Sequence, residues 1–63
     1  MIQPGQVYIA RDDPTRYAIV ERVELNEFGM YIYYRVPVVD CHHDCNLEED
    51  DFLSRYHLYQ DIS

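Results

Sequence analysis

The sequence predicts a mostly β fold, a small, strongly bent antiparallel sheet with one short helix near the C-terminus. Two observations carry that prediction. Apolar residues alternate at a period of two in "GQVYIAR", "RYAIVERVEL" and "MYIYYRVPV". These runs are rich in β-branched and aromatic residues, which suit a pleated surface better than a helix. At 63 residues the chain makes a single small domain, 1–63. A chain this short buries only about 60% of the surface its unfolded form exposes, so its one core is marginal.

The first strand starts from Pro4-Gly5, with Val7 and Ile9 alternating against Tyr8 and Ala10. "DDPTR" ends it, because Pro14 fixes its own φ and pushes Asp13 toward an extended conformation. In the second strand Tyr17, Ile19, Val23 and Leu25 share one parity while Val20 falls on the other. A bulge near Glu21, or a strand buried on both faces at one end, reconciles the two. "NEFG" reads as a hairpin loop in which Gly29 takes positive φ. The third strand is the clearest element: Met30, Ile32, Tyr34, Val36 and Val38 face the core, and Tyr31, Tyr33 and Arg35 face away. Pro37 cannot donate to a ladder, so that strand is at an edge there or bends out of the sheet.

"NLEEDDFLSRY" reads as a short helix with Asn46 as its N-cap and Glu49 as the capping-box partner. Glu48 to Asp51 then place negative charge where the helix dipole favours it. Phe52, Leu53 and Tyr56 turn toward the core, and "YHLYQ" forms the last strand. This order of elements resembles an SH3-like or half-open barrel, in which a one-turn helix precedes the final strand. With the "PGQVY" opening and the acidic-then-aromatic ending, it also resembles small SH3-like proteins of phage and prophage origin. The resemblance covers most of the chain and rests on element order, without a diagnostic motif. It implies a small antagonist of host defence or transcription.

Charge narrows the function classes. Twelve acids face five bases, all arginine, for a net of −7. The imbalance is concentrated after Pro37, where Arg55 alone faces seven acids. Such a pole repels phosphate backbones, so direct nucleic-acid binding is not expected, and it attracts basic protein surfaces. The bland reading is that the acidity only maintains solubility. No membrane span and no signal peptide is legible, and a cytoplasmic location is expected.

"CHHDC" raises the question of a metal. Cys41 and Cys45 have the spacing of one zinc knuckle, and His42, His43 or the more distant His57 are the candidates to complete it. There is no second paired knuckle, and a plain polar loop is the favoured reading. A Cys–His nucleophile is disfavoured by surrounding acids, which raise a thiol pKa. Carboxylate pairs such as Glu48/Glu49 or Asp50/Asp51 are helix-start residues before they are general acids, and so small a domain has little room for a pocket. No enzyme activity and no cofactor are expected.

The expected function is that of a small acidic protein-binding module, in its sharpest form an inhibitor and DNA mimic. Asp44, Glu48, Glu49, Asp50 and Asp51 would dock on the basic, nucleic-acid-binding surface of a larger protein, and Tyr31, Tyr33 and Arg35 would anchor the contact. Two alternatives stand beside it. One is a zinc-stabilised structural module using Cys41, Cys45 and a histidine. The other is a homodimer formed through the Tyr31/Tyr33 strand.

Overall fold

The structure, a computed structural model, describes residues 2–37 and 45–60. Five strands and one helix follow in the order β1 (Val7–Ala10), β2 (Tyr17–Asn26), β3 (Gly29–Arg35), β4 (Cys45–Glu48), α1 (Glu49–Arg55) and β5 (Tyr56–Gln60). All pairings are antiparallel, and the sheet runs β4-β3-β2-β1-β5.

Local chemistry explains the first three strands. At the Pro4-Gly5 turn, Gly5 takes a φ of 93°, its N–H donates to the Val20 carbonyl, and Val20 N–H donates back to the Gln6 carbonyl. The Gln6 side chain is buried, and its Oε1 accepts from Gln3 N–H at 2.8 Å and from the Tyr8 hydroxyl at 3.3 Å. That pairing meets the cost of burying an amide. Around Pro14, Asp13 Oδ1 accepts from both the N–H and the hydroxyl of Thr15, an Asx turn that reverses the chain into β2. The β2–β3 hairpin closes on the Asn26–Gly29 pair, with Asn26 Oδ1 accepting from Phe28 N–H. Gly29 carries the positive φ of this turn at 127°, a conformation L side chains rarely adopt.

The bulge anticipated near Glu21 is there. Val20 pairs with Tyr34 and Arg22 with the adjacent Tyr33, so Glu21 is the extra residue. It switches parity within β2, placing Ala18, Val20 and Val23 on one face although their sequence parity differs. A second register shift, between Val7 and Tyr8, leaves Tyr59 as the extra residue of β5.

The core lies on one face of the sheet, under α1. Ile2, Tyr8, Ala10, Ala18, Val20, Ile32, Phe52 and Tyr56 form it, with Val23, Met30, Tyr34 and Leu47 packed around them. Phe52 is the wedge: its ring meets Tyr8 at 5.0 Å, Tyr34 at 5.3 Å and Tyr56 at 5.0 Å.

Two expectations are corrected here. The strongly bent, SH3-like or half-open barrel is not formed: the sheet is neither closed nor strongly curled, and β4 and β5 sit at its opposite edges. The physical reason is α1. It joins β4 to β5, so these two strands do not pair with each other, and its Phe52 ring packs on the core face against Tyr8 and Tyr34. What holds of the expectation is the coarser part, a mostly β domain with one short helix before the last strand. The helix also starts later than Asn46. Asn46 and Leu47 pair with Tyr33 and Ile32 in β4, and the N-cap is Glu48, whose side chain makes no capping hydrogen bond. Pairing with β3 and burial of Leu47 against the core outweigh the local capping signal. Of the three helix residues expected to face the core, Phe52 and Tyr56 do, whereas Leu53 is exposed. Val38 lies outside the described residues.

Candidate functional site

Strand register assigns every described strand residue to a face, because directly paired residues in an antiparallel sheet share one. The face away from α1 carries Val7 and Ile9 from β1, Tyr17, Ile19, Arg22 and Glu24 from β2, and Tyr31, Tyr33 and Arg35 from β3. Asn46 and Glu48 extend it on β4, and His57 on β5. Tyr31, Tyr33 and Arg35 are thus on the face expected for them, the tyrosines half-buried and Arg35 exposed.

The two ends of this face differ. Over β1, the Tyr17 and Tyr59 rings meet edge-on at 5.5 Å, one from each neighbouring strand. Ile9 lies between Tyr17 and His57 in the register, which is why it is buried on a face that no helix covers. Over β2, β3 and β4 the face is polar and built in rows. One row reads Arg22–Tyr33–Asn46 and the next Glu24–Tyr31–Glu48. In the first, the Arg22 guanidinium sits 4.0 Å above the Tyr33 ring centre while its Nε bonds Glu24 Oε1 at 3.0 Å. In the second, Tyr31 stands between two carboxylates, and among the described residues no cation covers its ring. Glu48 leans toward Gly29, where an added Cβ would be 3.9 Å from its Oε1.

The acidic run is divided by the fold. Glu48 ends β4 opposite Tyr31, whereas Glu49, Asp50 and Asp51 form the first turn of α1 on the other side of the sheet. Asp44 lies outside the described residues. Of the acidic residues expected to dock, Glu48 thus shares the face of Tyr31, Tyr33 and Arg35, while Glu49, Asp50 and Asp51 belong to α1. Arg22 and Glu24 were absent from the sequence-derived site. The signal that could have found them is the bulge, since with Glu21 taken as extra the hairpin register puts them opposite Tyr33 and Tyr31.

The metal reading loses its distant ligand. Cys45 is on the β4 edge and faces the core side with Tyr34, while His57 is on the β5 edge and faces away with Ile9. The two side chains leave opposite faces of the sheet, so they do not converge on a shared ion. Cys41, His42 and His43 lie outside the described residues, and among those described no three His, Cys, Asp or Glu side chains converge.

Comparison with protein-family models, curated proteins and solved structures finds no match. The resemblance to SH3-like phage and prophage proteins is thereby overturned: no relative supports that origin, and the open sheet removes the likeness of fold on which it rested. The anti-defence reading that it implied goes with it, and no relative supports the inhibitor and DNA-mimic readings drawn from the acidic run. Among the described residues no helix is long and apolar enough to cross a membrane.

Proposed function

We propose that this chain is a small, non-catalytic protein-binding module that takes a basic side chain of a larger partner on the helix-free face of its sheet. The observation that carries this reading is the row Glu24–Tyr31–Glu48. A cation centred on that row meets a tyrosine ring, worth about 0.5–1 kcal/mol at an exposed site. It has the Glu48 carboxylate on one side and, on the other, the Glu24 carboxylate, whose Oε1 already bonds Arg22. The neighbouring row shows the same chemistry satisfied within the chain, where Arg22 covers Tyr33 and bonds Glu24. The net charge of −7 favours encounter with a basic partner and disfavours nucleic acid at the same surface.

The test is an amide chemical-shift titration of the labelled protein with a lysine- and arginine-rich decapeptide. Expected are saturable shifts at Glu24, Tyr31 and Glu48 that weaken steeply with added salt, since the Debye length is only ~10 Å at 0.1 M. The double variant Glu24→Gln/Glu48→Gln removes them. Binding that persists unchanged in that variant, or is indifferent to salt, refutes the reading. Should the same amides move with protein concentration alone, the occupant is a second copy of the chain and the basic-partner reading fails.

A further inference from the structure

We propose that the cleft between the β1–β2 turn and the C-terminal end of α1 binds a dianionic phosphate group. The cleft has a volume of about 320 Å³ and is lined by Arg11, Arg16 and Arg55, three of the five arginines of the chain, together with Asp12 and Ser54. That size is at the lower end of ligand-binding clefts, which begin at about 300 Å³. It lies away from the Glu24–Tyr31–Glu48 row and does not depend on the reading of that row.

Backbone hydrogen bonds hold the three arginine positions together at the cleft. Ala10 N–H donates to the Arg16 carbonyl at 2.9 Å, and Arg11 N–H donates to the Arg55 carbonyl at 2.9 Å. In a chain carrying so many acids, these guanidiniums would be expected to find carboxylates. They do not: among the described residues the one ion pair joins Arg22 to Glu24. Asp13, beside the cleft, has its Oδ1 held by Thr15, with Arg16 adding a smaller through-space attraction.

The bland account is that basic residues complement the negative end of the helix dipole. It covers Arg55, in the last turn of α1, and Arg11, whose Nε donates to the Leu53 carbonyl at 3.0 Å. It does not cover Arg16, which comes from the β1–β2 turn and, among the described residues, makes no hydrogen bond or ion pair through its guanidinium. Arg11 keeps its two terminal NH2 groups, and Arg16 and Arg55 keep whole forks. The Ser54 hydroxyl already donates to the Asp51 carbonyl at 2.7 Å, so the arginines supply the donors.

The donor set selects the ligand. A carboxylate offers two coplanar oxygens and is satisfied by a single guanidinium fork. Three forks arriving from separate segments fit the three peripheral oxygens of a phosphate monoester. Three arginines against Asp12 in the lining and Asp13 beside it leave the cleft net positive in a chain that is otherwise acidic.

The experiment is an amide-shift titration of the intact protein with phenyl phosphate, at constant ionic strength held by chloride. Benzoate and a phosphoserine hexapeptide serve as comparators. Expected are saturable shifts at Arg11, Asp12, Arg16 and Arg55 with none at Tyr31, and benzoate weaker by about tenfold or more. Arg16→Gln, which breaks no hydrogen bond or ion pair among the described residues, weakens phenyl phosphate binding by about tenfold, the loss of one charge-assisted contact. Arg16→Lys restores part of it, and Arg55→Gln repeats the loss at an independent position. Tighter binding of the phosphopeptide than of phenyl phosphate assigns the group to a modified protein chain, and equal binding assigns it to a free monoester. Non-saturating shifts, equal binding of benzoate, or no effect of either glutamine variant overturns the proposal.

Discussion

The two faces of this sheet are built from the same kinds of residue and end in different states. On the α1 side, Tyr8, Tyr34 and Tyr56 join Phe52 in a cluster of rings 5.0–5.6 Å apart, with Tyr8 and Tyr56 almost fully buried. On the other side Tyr31 and Tyr33 stay half-buried and Tyr59 is exposed. The polar end of that side is held by a cation over a ring and by one surface ion pair. The difference teaches that tyrosine content sets neither core nor interface. A short helix crossing one face makes that face the core and leaves the other facing solvent.

The largest expected effect breaks the covered face. Phe52→Ala removes the ring that three tyrosines pack on and should cost about 3–5 kcal/mol. A domain this small has only ~5 kcal/mol to lose, so the variant should be largely unfolded by far-ultraviolet circular dichroism. Tyr31→Ala on the open face should cost less than ~1 kcal/mol in a urea titration. Equal costs for the two would mean that the open face is a second core, and the contrast drawn above would be wrong.

A smaller effect probes how the open face is held. Arg22→Gln removes both the contact with the Tyr33 ring and the pair with Glu24, each exposed, and should lower stability by about 0.5–1 kcal/mol. Because surface charges are screened, the difference from the parent protein should shrink in high salt. A loss that does not respond to salt would show that Arg22 acts through packing of its alkyl stem.

The smallest effect appears only in alkali. Burial, and then the neighbouring Tyr56 hydroxyl, raise the Tyr34 phenol well above its ordinary pKa of 10.0. The folded state therefore holds this proton more tightly than the unfolded chain does. The stability it contributes is fully present below the unfolded value and is lost as pH climbs above it toward the folded value. Tyr34→Phe should flatten the decline of the urea midpoint in that alkaline range while leaving the neutral range nearly unchanged. An identical alkaline slope in both proteins would mean that the Tyr34 hydroxyl is solvated.

Much of the fold was legible where the controlling interactions are local. The alternation of Met30, Ile32, Tyr34 and Val36 marked both faces of β3, and the parity conflict around Val20 marked the bulge at Glu21. Gly29 marked the hairpin. Legibility failed where distant segments compete. Asn46 has the chemistry of a helix cap, yet it lies in β4 because β3 offers an edge to pair with. The arginine cleft was invisible because Arg11, Arg16 and Arg55 are spread over the sequence and meet only when β1 pairs with β2 and β5. The site on the open face was half legible. Tyr31, Tyr33 and Glu48 were in view, whereas Arg22 and Glu24 entered through the register, and Asp50 and Asp51 left it because the helix carries them to the other side.

By itself the sequence determined the strand periodicity, the turns at Gly5, Pro14 and Gly29, the short helix before the last strand and the excess of acid. Those depend on φ preferences and side-chain spacing within a few residues. Only the tertiary structure decided that the sheet stays open, which face became the core and which charges became neighbours. Alternation at a period of two gives a strand two faces without ranking them, and the ranking comes from where α1 docks.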